Sequence, residues 1–326
     1  MAHLHMFLIL CTIPVAIASI GDGNQVFQEF LKGCRSKYCS TDSLVKKFEQ
    51  NRPVSLSLLR WDCDSECKYS AMWQTVERLQ AKNLKIQQFY GKWPFIRIFG
   101  IQEPASAFFS LLNGFGHVYM ILKLRKQVPR SAPMFYAWHV YSAISIHAWF
   151  WSTVFHARDT TLTEKMDYFS AFSLNLSGIL MISIRSLAIQ EKGTNLWVVA
   201  AAFIVLGTIF WRHVSFLNNA KRFDYGYNMK VNLALGLLNS IWWVAWCLPN
   251  IYRKPYLKKA IICIVAADLL LLLELGDFPP LFWTFDAHSL WHAGTFPLIF
   301  VWYSHCIADC LRLHQPQFLP KYGNVT

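Results

Sequence analysis

Seven apolar runs, at about 105–122, 134–155, 168–184, 196–211, 229–247, 260–275 and 288–311, take up most of the chain after its first hundred residues. Each is close to the roughly 20 residues a helix needs to cross a hydrocarbon core, where every backbone polar group must be paired within the spanning segment. Few folds are open to such a chain. The expected class is an all-α membrane protein: a seven-transmembrane helix bundle preceded by a small polar domain. The composition agrees, because 54% hydrophobic and only 15% charged residues leave too little polar surface to solvate a soluble domain of this size.

The stretch from Met6 to Ala18 is apolar and ends in Ala16-Ile17-Ala18, small residues where a signal peptidase cuts. Residues 1–18 therefore read as a signal peptide cleaved after Ala18, with an uncleaved anchor as the alternative. The polar segment 19–100, helically patterned around 43–50 and 72–85, would then be luminal. In that topology the pieces 123–133, 185–195, 248–259 and the tail after 311 face the cytoplasm and hold twelve Lys and Arg, against six in the luminal loops. This is positive-inside asymmetry, although Arg212, Lys221, Arg222 and Lys230 in one luminal loop run against it. The expected organisation is a signal peptide (1–18), a luminal cysteine-containing domain (19–100), a seven-span domain (101–315) and a cytoplasmic tail (316–326). The net charge of +12 raises nucleic acid as a partner, but no basic face interleaved with aromatics accompanies it, so none is expected. The sequons at Asn175 and Asn324 fall in a span and in the tail, where neither would be glycosylated.

Nine cysteines divide by location. Cys11 leaves with the signal peptide, and Cys247, Cys263, Cys306 and Cys310 lie in or beside apolar runs. Cys34, Cys39, Cys63 and Cys67 sit in the polar segment, where an oxidising lumen favours two disulfides over a zinc knuckle. Three connectivities are open.

Ionisable side chains in or beside spans are costly, and they mark function by default. Ser152 and His156 close the second run, Asp167 opens the third, and His288 and His292 open the seventh, so the topology brings all five to the luminal boundary. Residues four apart share a helix face, which lets His288 and His292 address one ion and Ser152 lie beside His156. Three neutral imidazoles leave a tetrahedral Zn²⁺ one open position, as in a catalytic site. Asp167 is the carboxylate expected to take a proton from water. The competing reading is that these histidines simply bond across helices, which is the expectation for His117, His139, His147, His213 and His305. Glu274 and Asp277 can approach the same cavity, with a structural or head-group role expected over metal binding, and Trp242, Trp243 and Trp246 read as a packing or interfacial belt.

This arrangement, S-x-x-x-H in the second span, Asp opening the third and H-x-x-x-H in the seventh, resembles the CREST superfamily of seven-span zinc proteins, which includes alkaline ceramidases and adiponectin receptors. Within it, GKWPF (91–95), QEPASA (102–107), WFWSTVFHARDTTLTEKMDYFSA (149–171), RFDYGYN (222–228) and LLELGDFPPLFWTFDAHSLWH (272–292) are similar to the post-GPI-attachment factor 3 family, also called Per1-like. The resemblance implies a Golgi or endoplasmic-reticulum membrane enzyme that removes the sn-2 acyl chain from GPI-anchored proteins, a zinc-dependent ester hydrolase of phospholipase A2 type. It implies His156, His288 and His292 as zinc ligands and Asp167 and Ser152 as the groups handling water and the oxyanion. Where the family commonly has a further pair of cysteines, this chain has Ala71 and no cysteine in the polar segment before Cys34, which implies two bridges in the head rather than three. Two other activities share the motif set: hydrolysis of a ceramide amide, and a non-enzymatic receptor or GPI-handling chaperone.

Overall fold

The computed structural model describes residues 20–190 and 193–315, so the expected signal peptide, Asn324 and the tail 316–326 lie outside the described residues. The chain divides into two compact units, one of residues 20–102 with 279–284, the other of 103–278 with 285–315.

The smaller unit is helical. It comprises α1 (Gln25–Tyr38), α2 (Asp42–Asn51), α3 (Val54–Leu58) and α4 (Cys63–Ala81). Side-chain oxygens start three of them: Asn24 accepts from Val26 N, Thr41 from Leu44 N and Asp62 from Ser65 N, each satisfying an end-of-helix donor. The Asp62 cap begins α4 well before the patterning at 72–85 suggests. Helix α1, absent from the sequence expectation, is started by the Asn24 cap. Phe27 and Leu31 of α1 meet Cys67, Ala71, Val76 and Phe89 in one small core. Gly21 closes the unit's start onto that core, donating to Gln88 O at 2.9 Å, and a Cβ there would lie 2.4 Å from the same oxygen.

The four cysteines of this unit pair as Cys34–Cys67 and Cys39–Cys63, tying α1 and its C-cap to α4. The other four cysteines among the described residues are buried thiols. On the surface, a hydrogen bond from Arg35 at 2.5 Å, joined by Lys68 at 2.9 Å, holds the Asp64 carboxyl below its ordinary range. That contribution is present above the unfolded pKa and is lost as pH falls through the folded one.

The larger unit has seven long helices: α5 (Pro104–Gln127), α6 (Phe135–Ala157), α7 (Thr161–Ser183), α8 (Leu196–Asn219), α9 (Tyr225–Asn250), α10 (Leu257–Leu275) and α11 (Ala287–His314). A π-helical turn (Ile184–Ala188) and a two-stranded hairpin, β1 (Ile189–Gln190) against β2 (Gly193–Thr194), link α7 to α8. The packing order α5–α6–α7–α9–α10–α11 closes back on α5, making a ring of six, and α8 lies against α7. Trp138, Trp243 and Trp302 anchor the core, with the Trp138 and Trp243 rings stacked at 6.5 Å. Asn175, the sequon residue, donates to Asn232 O at 2.8 Å between α7 and α9.

Four segments are long and apolar enough to cross a membrane by length and composition: Pro104–Gln127, Thr161–Ala188, Leu196–Asn219 and Tyr225–Asn250. Helices α6, α10 and α11, of 23, 19 and 28 residues, also have the length. Helix α10 is strongly apolar but carries four charged residues, Lys258, Lys259, Asp268 and Glu274, whereas histidines, serines and indole rings lower the hydropathy of α6 and α11.

The two bridges close loops of 33 and 24 residues, whose closure entropies differ by only about 0.3 kcal/mol. Their contributions should therefore separate by packing. Each bridge joins a buried and a half-buried cysteine, but Cys67 belongs to the core cluster of its unit and Cys63 lies outside it, so Cys34→Ser with Cys67→Ser should lower the unfolding temperature more than Cys39→Ser with Cys63→Ser. Each removal is expected to cost about 2–5 kcal/mol. Thermal unfolding of the full chain, followed by accessibility of the freed thiols, measures both.

Candidate metal centre

Pro104, at the first position of α5, disfavours helical backbone for the residue before it, and Glu103 sits outside that region, at φ −126° and ψ 80°, as the N-cap. In that conformation it meets the last turn of α6 twice. Its backbone N–H donates to His156 O at 3.0 Å, and its carboxylate accepts from His156 Nδ1 at 2.7 Å. Both side chains are buried.

At the start of α11, Asp286 caps the helix by accepting from Ser289 N at 2.9 Å, and Ser289 Oγ returns a bond to Asp286 O. The cap fixes the first turn, so His288 and His292 stand one above the other on a single face. His288 Nδ1 donates to the Glu274 carboxylate at 2.8 Å, joining α11 to the end of α10. On α5, Asn113 donates to His292 O at 2.9 Å and accepts from Thr295 Oγ1 at 3.3 Å.

Four helix ends thus bring three imidazoles together. The Nε2 atoms of His156 and His288 are 3.3 Å apart, those of His156 and His292 3.3 Å, and those of His288 and His292 2.9 Å. Trp149 lies edge-on to His292 at 5.2 Å and Trp291 is stacked on His288 at 5.8 Å, so indole rings form two walls. With Nδ1–H of His156 and His288 each committed to a carboxylate, the assigned tautomer points their Nε2 lone pairs inward. Converging lone pairs repel one another unless a cation lies among them. A carboxylate on the outer nitrogen is also the usual support of a metal-bound histidine, so the donor set fits Zn²⁺.

Ser152, one turn before His156 and buried, lies 3.0 Å from Ser110 Oγ on α5. Asp167 is in the second turn of α7, half-buried and at the same end of the bundle. The carboxylates on the histidine nitrogens are instead Glu103 and Glu274. Glu103 was missed by the sequence reading; its one signal is an acid next to a proline at the mouth of an apolar run. Glu274, for which a structural or head-group role was expected, reaches an imidazole. Three of the other histidines bond across helices, His117 Nδ1 with Tyr303 Oη at 3.0 Å, His147 Nδ1 with Ser170 Oγ at 3.2 Å and His213 Nε2 with Asn228 Oδ1 at 3.1 Å. His139 Nδ1 instead donates to Phe135 O within its own helix, and both ring nitrogens of buried His305 are without a hydrogen bond among the described residues. Trp243 is a packing residue, and Trp246 stacks under the Arg185 guanidinium at 4.5 Å.

The model of the Per1-like family matches residues 53–310. A Mus musculus protein named "GPI-specific phospholipase A2-like PGAP3" is 42% identical over 309 residues, covering 94% of each chain. The Homo sapiens protein of that name is 42% identical over 315 residues, covering 96% of this chain and 97% of its own. The Drosophila melanogaster "Post-GPI attachment to proteins factor 3" is 36% identical over 307 residues, covering 91% of each. No solved structure matches.

Second-position carboxylates typically set metal affinity by about 10 to 100-fold. Glu103→Ala and Glu274→Ala should each weaken zinc binding by that order, measured by competition with a chromogenic chelator. The Gln variants, which still accept from Nδ1, should fall between. Unchanged affinity in both Ala variants would show that the carboxylates do not act on the imidazoles.

Proposed function

The chain belongs to the Per1-like family, and on that premise we propose that it is a zinc-dependent acyl hydrolase of phospholipase A2 type, removing the sn-2 fatty acid from GPI-anchored proteins. The observation that carries this reading is the convergence of His156, His288 and His292, two of them braced by carboxylates, at one end of a membrane bundle. Its setting is a seven-span protein of the Golgi membrane with the N-terminal unit in the lumen, where the protein part of the substrate hangs.

His156, His288 and His292 would hold the ion, and Glu103 and Glu274 would keep His156 and His288 in the tautomer that ligates it. When bound, zinc supplies a Lewis acid and a water of pKa near 7. Glu103 and Glu274 hold imidazole N–H groups, and Asp167, at the same end of the bundle, would accept the proton of the attacking water and return it to the glycerol oxygen as the ester bond breaks. Ser152 and Ser110 share one hydrogen bond between two hydroxyls, so one proton of the pair is free to donate to the oxygen that becomes negative at the ester carbonyl. Trp149 and Trp291 would keep water from the acyl side. The products are a lyso-GPI protein and a free fatty acid.

Purified protein should release fatty acid from a defined GPI lipid, lose that activity with a chelator and regain it with zinc, while leaving ceramide intact. Cleavage of ceramide alone would favour the amidase, and no cleavage in a zinc-loaded protein would favour a receptor or chaperone. His156→Ala, His288→Ala and His292→Ala should each lose zinc by metal analysis. Asp167→Asn should keep zinc and lose about 10² to 10⁴-fold in rate, as removal of a general base does. Ser152→Ala should keep zinc and lose rate through weaker oxyanion stabilisation, without a change in the pH profile.

Topology has its own test. A glycosylation sequon placed between Arg158 and Lys165 should be used and one between Lys123 and Arg130 should not. The reverse pattern would put the histidine cluster in the cytoplasm, away from the protein part of a GPI substrate.

A further inference from the structure

Two tight turns of the smaller unit carry bulky aromatic rings outward on left-handed backbone. Phe99, at φ 52°, is 83% exposed, and Phe282, at φ 53°, is 86% exposed. The left-handed region is disfavoured for a residue with a large side chain, and soluble surfaces rarely show phenylalanine so fully. Ile96, Ile98 and Leu281 are exposed beside them in sequence, so each turn presents an apolar cluster.

Neither turn is loose. Ile101 N–H donates to Ile98 O at 2.9 Å across the first, and the indole N–H of buried Trp61 donates to Gly100 O at 2.8 Å. Beneath it Arg97 is held between the Trp61 and Tyr69 rings, 3.3 and 4.0 Å from their centres, and paired with Glu66. In the second turn Trp283 N–H donates to Pro280 O at 3.1 Å, and the Trp283 ring meets Trp73 edge-on at 5.2 Å. Ile96 N–H donates to Trp283 O at 3.0 Å, joining the two turns. The unit thus builds a rigid base under two rings that it does not cover.

The covalent chain indicates what covers them. Phe99 precedes Pro104, the first residue of the span α5, by five residues, and Phe282 precedes Ala287, the first residue of α11, by five. Five residues reach at most about 18 Å even when fully extended, so neither ring can lie far from the level at which its helix enters the membrane. Aromatic side chains are the residues enriched at that level. We propose that the turns 98–101 and 280–283 form an aromatic lip seated in the bilayer interface, the rings of Phe99 and Phe282 lying among phospholipid acyl chains. The proposal rests on α5 and α11 being membrane spans and is independent of any hydrolytic activity.

The full chain, with p-benzoylphenylalanine in place of Phe99, of Phe282 or of the exposed Glu49 on α2, is reconstituted into phosphatidylcholine nanodiscs and irradiated. Intact disulfides on a non-reducing gel confirm the folded head. Adducts carrying the mass of phosphatidylcholine are expected at positions 99 and 282, at least tenfold above position 49. Absence of lipid adduct at either turn, a crosslink to a second copy in its place, or equal lipid labelling at position 49 would each overturn the proposal. Failure of the unsubstituted, zinc-loaded chain to release fatty acid from a GPI lipid, with the adducts intact, would instead count against the hydrolase reading and leave the lip standing.

Discussion

A carboxylate and an imidazole buried in a bundle that faces hydrocarbon have to satisfy each other, because no solvent at that depth will do it. Glu103 and His156 do so through two bonds, one backbone and one side chain; Glu274 and His288, which stay partly exposed, pair through their side chains. The first pair fixes the start of α5 against the end of α6; the second fixes the end of α10 against the start of α11. Removing one partner of a buried pair typically costs about 3–5 kcal/mol, several times the roughly 0.6 kcal/mol average of a single interhelical hydrogen bond in a membrane. The groups that orient the histidines therefore also brace the end of the bundle, and geometry and stability there cannot be varied separately.

The same rule orders the rest of the larger unit. Below the histidines, Tyr303 Oη on α11 lies 3.0 Å from His117 Nδ1 on α5 and 2.5 Å from Ser142 Oγ on α6. A phenol can donate one bond and accept another, so this single hydroxyl can join the three helices that carry most of the site. At the opposite end, Arg185 makes a two-bond contact with Asp309 at 2.5 and 2.9 Å, and Tyr256 donates to the same carboxylate at 2.7 Å. The planar guanidinium suits a forked carboxylate contact of this kind. Polar side chains thus lie in layers within the ring, each closed on itself.

What could be read from the sequence follows from how far each interaction reaches. The spacing of His288 and His292 is local, and the shared depth of His156 follows from counting spans, so the cluster was legible before any fold. Glu103 was not, because its partner is 53 residues away and no spacing rule links an N-cap to the last turn of the next helix. The pairing of Cys34 with Cys67 was likewise undetermined, since it depends on how α1 lies on α4. The apolar runs marked the seven long helices, but histidine, serine and indole side chains lower the hydropathy of α6 and α11 and α10 carries four charged residues, and these are three of the four helices that supply the histidines and their carboxylates. Chemistry and hydropathy draw on the same residues there, so the helices most informative about function are the least obvious as spans.

That conflict is eased by closing six helices into a ring and leaving α8 outside. Helix α8 can be largely apolar because its contacts are with α7, with α9 and with its surroundings, with His213 and Leu217 its buried residues. Helices α5, α6 and α11 can afford serine, asparagine and histidine because those side chains turn into the ring, where Ser110, Asn113, Ser142, Ser145, Ser152 and His292 are all buried. Placing the three ligating candidates within two turns of helix ends limits how deep charge must go: a carboxylate at an N-cap, such as Glu103, also meets the positive end of its helix. A cluster at mid-bundle would lack that support and would need longer, costlier polar chains to reach it.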